Sequence, residues 1–417
     1  MFKGFSQMRC GLLGEHLSHS YSPQIHALLA DYAYDLIELP DADAVGAFLE
    51  AGSFDALNVT IPYKQTVVPY LYSVSPAAKR IGSVNTITKD TQGRLIGDNT
   101  DYAGFSYMVS RSHIELKGRK VLVLGSGGAS LTARVVCRDL GAASVTVISR
   151  SGPDNYQNLS KHADANIIVN CTPVGMYPKN GVSPVDLSAF PKLEGVLDMI
   201  YNPQKTALLL QAERLNIPAT NGLPMLVAQA VEACKLFLGT EALPSADFVE
   251  TTISSVAKQM SNIVLIGMPG CGKTVLAQAL AKQLDRPVID TDQLIVERSN
   301  RSIPEIFERS GETGFRELEH DAVIDAGKMS GVIIATGGGV VTREDNYDPL
   351  HQNGVIWWVQ RPLEKLSREG RPLSLSGDLR EMYARRFPLY SFFADRTLVN
   401  QSTVEAAVQS IMEDFQK

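Results

Sequence analysis

Two glycine-rich segments of the sequence have the residue types and spacing of phosphate-binding loops. The segment GMPGCGKT, residues 267–274, satisfies the pattern G-x-x-x-x-G-K-[ST] and lies between an apolar run and a helix-like run. Its glycines would turn backbone N–H groups onto phosphate oxygens, Lys273 would reach the β- and γ-phosphates, and Thr274 would bind Mg²⁺. The expected ATP-binding residues are Gly267, Gly270, Cys271, Gly272, Lys273 and Thr274.

The second segment, GSGGAS at 125–130, resembles a dinucleotide-binding loop, although Ser130 replaces the last glycine of that pattern. The next apolar run ends in Ser149, Arg150 and Ser151. An NAD site normally carries an acidic residue there, whereas a cation with hydroxyls suits the 2′-phosphate of NADP. A solvated arginine without a ligand is the alternative. The expected NADP-binding residues of this region are Gly125, Gly127, Gly128, Ala129, Ser149, Arg150 and Ser151.

Three features downstream of the ATP loop could serve a small-molecule kinase. Asp290 and Asp292 are two residues apart at the end of a predicted strand, where one carboxylate could serve the metal and the other a substrate hydroxyl. Asp292 could instead be only a helix N-cap. Arg316 lies on a predicted helix, where a surface pair with Glu319 is the alternative to ligand binding. Three glycines at 337–339 would leave bare backbone for a small ligand.

Composition and charge limit the class of protein. The 417 residues are enough for two or three domains, and a net charge of −6 argues against a general nucleic-acid binder. Five widely spread cysteines predict reduced thiols, not a disulfide framework or a zinc site. No secretory signal and no run of roughly 20 apolar residues is present, so we expect a cytoplasmic protein without a membrane partner.

Short apolar runs alternate with helix-like segments almost throughout the chain. These runs have the length of buried parallel strands, and they predict α/β layers. They are VLVLG (121–125), VTVIS (145–149), IIVN (167–170), VLDMI (196–200), NIVLIG (262–267), VIIAT (332–336) and VIWWV (355–359). The region 238–262 is the predicted boundary before the ATP loop, and residues 246–260 within it could form a terminal helix.

The motifs of the C-terminal part together resemble shikimate kinase. The resemblance implies that Asp290 and Thr274 hold Mg²⁺ and that Asp292 binds shikimate as the presumed base. Arg316 and Arg386 would hold the substrate carboxylate beside the backbone of Gly337, Gly338 and Gly339. Arg371 matches the lid arginine, in a lid several residues shorter than usual. A GTPase is disfavoured because the sequence has no N-K-x-D motif.

The N-terminal part resembles shikimate dehydrogenase over nearly all of residues 8–240. The resemblance rests on LSHSYSPQIH, NVTIPYK, IGSVNTI, GDNTDYAGF, VNCTPVGM, DMIYNPQKT and NGLPMLVAQA in that order. It implies that Lys64 and Asp101 form the catalytic dyad. The substrate-binding residues would be Ser20, Ser22, Thr60, Lys64, Asn85, Asp101, Tyr201 and Gln229, and Thr172, Gly222 and Met225 would border NADP. Taken singly, these polar residues could be only turn or cap formers.

The two resemblances predict consecutive reactions in one chain, with the small molecules 3-dehydroshikimate and shikimate as partners. NADPH would reduce the first to the second, and ATP would then phosphorylate shikimate. The expected architecture is a substrate domain (1–102 with 223–258), a Rossmann-like domain (103–222) and a P-loop kinase domain (261–417), as a monomer or weak homodimer. The alternatives are a quinate-preferring reductase, a catalytically inactive half that binds or regulates, and a scaffold for other enzymes.

Overall fold

The computed structural model describes residues 2–17, 20–240, 245–366, 379–401 and 403–416. The chain divides into two compact units. The first comprises Met1–Val174, Ser183–Tyr201 and Gln211–Val256, and the second comprises Gly175–Val182, Asn202–Leu210 and Ala257–Lys417. Both units are layered α/β structures, which confirms the predicted fold class. The three-domain division by residue number stays a prediction.

The first sheet of the first unit is mixed, with strand order β2-β1-β3-β5-β6-β4. Its strands are β1 Arg9–Gly14, β2 Ala33–Glu38, β3 Ala56–Val59, β4 Ser73–Val74, β5 Thr86–Lys89 and β6 Leu95–Asp98. Strand β5 runs antiparallel to both β3 and β6. The carboxyl ends of β3 and β6 therefore lie at the edge where β5 begins. The chain segments that follow β3, precede β5 and follow β6 therefore meet at this edge.

The second sheet of the first unit is parallel, with strand order β11-β10-β9-β7-β8. Its strands are β7 Lys120–Leu124, β8 Ser144–Ile148, β9 Ile167–Asn170, β10 Gly195–Asp198 and β11 Ala219–Thr220. Strand β7 has β8 on one side and β9 on the other, so the chain changes direction across the sheet at the carboxyl end of β7. Doubly wound sheets bind nucleotides at such a point.

The helices up to residue 260 belong mainly to the first unit. They are α1 Ser22–Leu29, α2 Ala42–Ala51, α3 Pro76–Ile81, α4 Asp101–Ser112, α5 Gly128–Asp139, α6 Ala207–Arg214, α7 Leu223–Leu238 and α8 Ala246–Met260. Helix α4 packs closely on α7 at Gly104. A side chain at this position would lie only 2.7 Å from the carbonyl oxygen of Met225, so the close approach requires glycine. Helix α8 confirms the helix considered for residues 246–260.

The second unit contains one parallel five-stranded sheet of order β13-β14-β12-β15-β16. Its strands are β12 Asn262–Ile266, β13 Val288–Asp290, β14 Ile333–Ala335, β15 Gly354–Gln360 and β16 Arg396–Val399. All five residues of β12 are buried, as expected for the central strand of a sheet covered on both faces. The carboxyl ends of β12, β13 and β14 meet at one edge.

Six helices of the described chain belong to this unit. They are α9 Lys273–Leu284, α10 Thr291–Ser299, α11 Ile303–Lys328, α12 Tyr347–His351, α13 Leu379–Phe393 and α14 Val404–Gln416. Gly311, with φ of 66°, interrupts the helical geometry of α11. Among the described residues of the whole chain, no helix combines the length and apolar character needed to cross a membrane.

Candidate active sites

Lys64 and Asp101 meet at the shared edge of the mixed sheet. Lys64 follows β3, and Asp101 is the first residue of α4, directly beyond β6. The Nζ of Lys64 donates to Oδ2 of Asp101 at 2.5 Å, and both side chains are largely buried. The N-terminal end of α4 favours a negative charge on Asp101. The structure therefore places the predicted dyad in direct contact.

Asn85 lies next to the dyad, immediately before β5. Its Nδ2 donates to Oδ1 of Asp101 at 2.9 Å and to Oγ1 of Thr100 at 3.0 Å. Its Oδ1 accepts from the backbone N–H of Thr100 at 2.7 Å. Because a backbone N–H can only donate, this bond fixes which way the amide faces. Both oxygens of Asp101 are thus bonded within the protein, and Asn85 is part of that arrangement.

The residues predicted to bind the substrate carboxylate lie at the start of α1. The Oγ of Ser20 accepts from the backbone N–H of Ser22 at 3.2 Å. The ring of Tyr21, between them, meets the ring of Tyr201 edge to face, with centroids 6.2 Å apart. Burial raises the pKa of Tyr201 to about 12, so its hydroxyl keeps its proton at neutral pH. The structure thus brings Tyr201 against Tyr21, the residue between the two serines.

Gln229 and Thr60 approach the same region from other elements. Gln229 lies on α7, and its Oε1 accepts from the hydroxyl of Thr100 at 3.4 Å. Gly104 permits this approach, because a side chain there would lie 2.9 Å from Cβ of Gln229. Thr60 directly follows β3, and its backbone N–H donates to the carbonyl of Leu13. Gln229 is therefore bonded to the residue next to Asp101, and Thr60 lies in the segment that connects β3 to Lys64.

The glycine-rich loop after β7 has the conformation and space that a pyrophosphate needs. Gly125 has φ of 98°, and a side chain there would lie 2.9 Å from Cγ2 of Thr172. A side chain on Gly127 or Gly128 would meet nothing within 4 Å, so the first turn of α5 is open. The Oγ of Ser130 donates to the carbonyl of Gly127 at 2.6 Å. Ser130, at the position of the last glycine of the pattern, thus adds a side-chain hydrogen bond within the loop.

The remaining predicted NADP residues divide into accessible and buried ones. Arg150 and Ser151 are exposed just beyond β8, whereas the Oγ of Ser149 accepts from the backbone N–H of Gly152 at 2.9 Å. Gly222 packs against the end of β10, where a side chain would lie 2.1 Å from the carbonyl oxygen of Met199. Met225 is buried in the hydrophobic core of the first unit. The exposed cation is therefore the group available for a 2′-phosphate.

The ATP loop of the second unit begins where β12 ends. Its three glycines at 267, 270 and 272 have φ of 145°, 85° and 102°. These values favour glycine, because an L side chain is strained in this region. The Nζ of Lys273 is buried in the loop, where it donates to the carbonyls of Gly267 at 2.8 Å and Met268 at 3.2 Å. A strand, a glycine-rich loop and the start of α9 thus form the expected cradle.

Thr274 and Asp290 form the predicted metal-binding pair. The Oγ1 of Thr274 donates to Oδ2 of Asp290 at 3.1 Å. The N-cap of α10 is Asp290, because its Oδ1 accepts from the backbone N–H groups of Asp292 and Gln293. The idea that Asp292 is only an N-cap is therefore wrong. A hydroxyl and a carboxylate beside a phosphate loop fit Mg²⁺, which prefers oxygen ligands.

Asp292 has the environment of a buried base. Among the described residues its Oδ1 is buried without a hydrogen-bond partner. Burial, followed by the nearby charges of Glu319 and Asp290, raises the pKa of Asp292 to about 6. A buried carboxylate is suited to accept a proton from a ligand hydroxyl when its pKa is close to neutral and one of its oxygens has no hydrogen-bond partner in the protein.

Arg316 lies near Asp292 and forms an ion pair with Glu319, the partner that the helical spacing offered. Its Nη1 is 2.5 Å from Oε2 of Glu319, and its Nη2 is 3.1 Å from Oε1 of Glu312. The interpretation of Arg316 and Glu319 as a surface pair is wrong, because Glu319 is completely buried. Packing of α11 against the glycine loop after β14 places this carboxylate inside the unit.

The three glycines allow these charged groups to converge. A side chain on Gly339 would lie 2.1 Å from Nη2 of Arg316, and one on Gly337 would lie 2.8 Å from Oδ1 of Asp292. Arg386, on α13, donates from Nη1 to the carbonyl of Gly338 at 3.0 Å. The predicted bare backbone is present, and two arginines and an aspartate surround it.

These groups line one cavity of about 400 Å³ next to the ATP loop. Its lining includes an apolar wall and an arginine that the sequence did not predict, namely Ile303, Phe307, Phe315 and Arg361. Tyr390, whose hydroxyl donates to the carbonyl of Gly338 at 2.5 Å, was not predicted either. Phe315 and Tyr390 lie close in sequence to Arg316 and Arg386, and no pattern singled out Ile303, Phe307 or Arg361. The lid prediction for Arg371 lies outside the described residues.

Comparisons with known proteins agree with this division of sites. Residues 12–87 match the family model described as the shikimate dehydrogenase substrate binding domain, and residues 269–416 match the model described as shikimate kinase. A shikimate dehydrogenase (NADP(+)) from Clostridium beijerinckii is 36% identical over 243 residues, which cover 54% of this chain and 89% of that protein.

Two solved structures are similar to the N-terminal part. Shikimate 5-dehydrogenase from Thermus thermophilus, in complex with NADP(H) and shikimate, is 31% identical with a TM-score of 0.53. The match covers 61% of this chain and 99% of that one. Quinate dehydrogenase from Corynebacterium glutamicum, in complex with NAD, is 28% identical with a TM-score of 0.54, covering 61% and 99%.

Proposed function

Because the chain belongs to the shikimate dehydrogenase family and carries a shikimate kinase domain after it, we propose that it catalyses two consecutive reactions of the shikimate pathway. The first is the NADPH-dependent reduction of 3-dehydroshikimate to shikimate. The second is the ATP-dependent phosphorylation of shikimate at its 3-hydroxyl. The coexistence of a dyad and a complete ATP loop in one chain carries this proposal.

In the reductase, Lys64 is the proton donor. NADPH, when bound along the Gly125–Gly128 loop, supplies the hydride for the substrate carbonyl. Lys64 then transfers a proton to the carbonyl oxygen, and Asp101 holds its ammonium group in position at 2.5 Å. Ser20, Ser22 and Tyr201 would bind the substrate carboxylate away from the reacting carbon.

The selectivity for NADPH would come from Arg150. This side chain is exposed at the carboxyl end of β8, and a guanidinium binds a phosphate through charge-assisted hydrogen bonds. Similarity to a quinate dehydrogenase with NAD keeps the quinate-preferring alternative under test. The hydroxyls of Ser149 and Ser151 beside Arg150 support NADPH instead.

In the kinase, the residues present orient the substrate and neutralise charge. ATP supplies the phosphoryl group, and Mg²⁺ held by Thr274 and Asp290 would shield its charge. Asp292 accepts the proton of the attacking hydroxyl, which its raised pKa allows at neutral pH. Arg316 and Arg386 would hold the shikimate carboxylate beside the backbone of Gly338.

A single experiment tests both halves. The full-length protein is incubated with 3-dehydroshikimate, NADPH, ATP and Mg²⁺, and the products are identified by mass spectrometry. We expect shikimate 3-phosphate. Shikimate alone would contradict the kinase assignment, and the absence of both products would contradict the reductase assignment. Omission of ATP is the matched control, which should stop the sequence at shikimate.

A further inference from the structure

A row of buried polar side chains leads away from the reductase dyad into the core of the mixed sheet. Asn58, Thr86 and Asn85 are 4%, 0% and 2% exposed, so water does not compete for their hydrogen bonds. Asn58 lies on β3 opposite Thr86, the first residue of the paired strand β5, and Asn85 directly precedes that strand. Buried polar groups held by one another favour a single geometry.

The direction of each hydrogen bond in this row follows from the chemistry of the partners. Asn58 faces the backbone carbonyl of Asn85 at 3.4 Å, which only accepts, so its Nδ2 is on that side. The same Nδ2 donates to Oγ1 of Thr86 at 3.3 Å. Oδ1 of Asn85 only accepts, and the hydroxyl of Thr86 donates to it at 3.0 Å, with the hydroxyl of Thr100 as a second neighbour at 3.2 Å. The amide of Asn85 donates in turn to Asp101 at 2.9 Å.

Tyr34 is the first donor of the row. Because Nδ2 of Asn58 donates to Asn85 and Thr86, its Oδ1 is on the side of Tyr34. This oxygen accepts from the hydroxyl of Tyr34 at 2.8 Å. The ring of Tyr34 is stacked on the ring of His26, with centroids 3.9 Å apart and planes within 11°. Burial raises the pKa of Tyr34 well above its usual value, so the hydroxyl keeps the proton that it donates.

We propose that Thr86, Asn58 and Tyr34 are positioning residues of the reductase, which orient the amide of Asn85 and thereby hold Asp101 against Lys64. Every group in the row donates toward Asp101, and successive hydrogen bonds of one direction strengthen one another. None of the three needs to touch the substrate. The inference rests on the proposed reductase function, because it assigns these residues to the same dyad.

The decisive variant is Thr86→Val, which keeps the shape of a completely buried side chain and removes its hydroxyl. Asn85 then loses one donor to its Oδ1, and Nδ2 of Asn58 loses one acceptor. We expect kcat for 3-dehydroshikimate reduction to fall about tenfold while KM changes less than about twofold. Thr86→Ser restores the hydroxyl and should restore kcat. The kinase rate of the same full-length samples serves as the reference for folding and concentration.

Tyr34→Phe provides a second and milder break in the row. We expect a decrease in kcat of about threefold, because this donor is the most remote from Asp101. Tyr32→Phe is its matched control. Tyr32 belongs to the same aromatic cluster and bonds Nδ1 of His26 at 2.6 Å, but it has no hydrogen bond to Asn58. The control should keep the wild-type kcat.

The combination of Tyr34→Phe with Thr86→Val separates positioning from general loss of stability. If both residues act through one row, the double variant has the kcat of Thr86→Val alone. Multiplied losses, an unchanged kcat in Thr86→Val, a loss confined to KM, or failure of Thr86→Ser to restore kcat would each overturn the inference.

Lys64→Ala is measured together with these variants. It distinguishes a failure of the positioning role from a failure of the proposed reductase function. If Lys64→Ala retains the reductase rate, the dyad assignment itself is wrong. If Lys64→Ala is inactive and Thr86→Val is fully active, only the positioning role is wrong. Should Thr86→Val not accumulate as folded protein, the comparison of Tyr34→Phe with Tyr32→Phe decides alone.

Discussion

The two sites of this chain hold their central carboxylates in opposite ways. In the reductase, both oxygens of Asp101 are bonded, to Lys64 at 2.5 Å and to Asn85 at 2.9 Å. In the kinase, Oδ1 of Asp292 is buried without a partner among the described residues, and the pKa of Asp292 is raised to about 6. One carboxylate is fixed by the protein, and the other is left for a ligand.

The difference follows from the elements that build each site. The reductase edge brings together β3, β5 and α4, whose side chains complete one another's hydrogen bonds. The kinase edge is opened by three glycines, which admit charged groups but supply no side-chain partner. The reductase dyad is formed without a substrate, and we expect the kinase substrate to supply the hydrogen bond that Oδ1 of Asp292 lacks among the described residues.

The largest expected effect on activity comes from a substitution that disrupts the contact between Lys64 and Asp101. Lys64→Ala removes the proposed proton donor and leaves the buried Asp101 without its ionic partner. We expect the reductase kcat to fall by about 10⁴-fold, at the upper end for general acid catalysis. The measurement is NADPH oxidation with 3-dehydroshikimate, and the phosphorylation rate of the same sample is the control. Loss of both activities would contradict two separate sites.

The second prediction adds a side chain to the open site. Gly339 has φ of −102°, which any residue adopts, so Gly339→Ala acts only by contact with Arg316. The new methyl would displace the guanidinium, and we expect KM for shikimate to rise about thirtyfold, which corresponds to a lost charge-assisted hydrogen bond. Initial rates at varied shikimate test this. An unchanged KM would place the carboxylate elsewhere, and the reductase rate should not change.

The same comparison explains how much the sequence could predict. Continuous apolar runs such as 262–267 predicted the parallel strands correctly, because strands buried on both faces need continuous apolar residues. The short antiparallel strands β5 and β6, with sequences TITK and LIGD, carry no such run and were not predicted. Burial of Glu319 depends on packing of α11 against a glycine loop, and a spacing of three residues along a helix cannot reveal it.

The contact between Lys64 and Asp101 lay beyond any pattern in the sequence as well. The residues are 37 positions apart, and only the family resemblance placed them together. The ATP loop was different, because its function depends on consecutive residues and backbone conformation. Local motifs were therefore predicted from chemistry, and the contacts between distant segments required the fold.

The third prediction uses pH to separate the carboxylates. A base must be deprotonated to act, and the raised pKa of Asp292 is about 6. We expect kcat/KM for shikimate phosphorylation to be constant above this pH and to fall about tenfold per unit below it. Asp292→Asn should remove that slope. A slope that persists in this variant would assign it to another group, and the reductase rate at each pH reports whether the fold survives.

The smallest expected effect concerns the exposed cation of the first unit. Arg150→Ala should raise KM for NADPH about tenfold, because a hydrogen bond between two charged groups is lost at a solvated site. KM for NADH should not change, since NADH has no 2′-phosphate. The matched control is Arg138→Ala, an exposed arginine at the opposite end of α5 from the glycine loop. Equal effects on both nucleotides would mean that Arg150 does not bind the 2′-phosphate. A higher rate with quinate and NAD than with shikimate and NADP would then favour the quinate-preferring alternative.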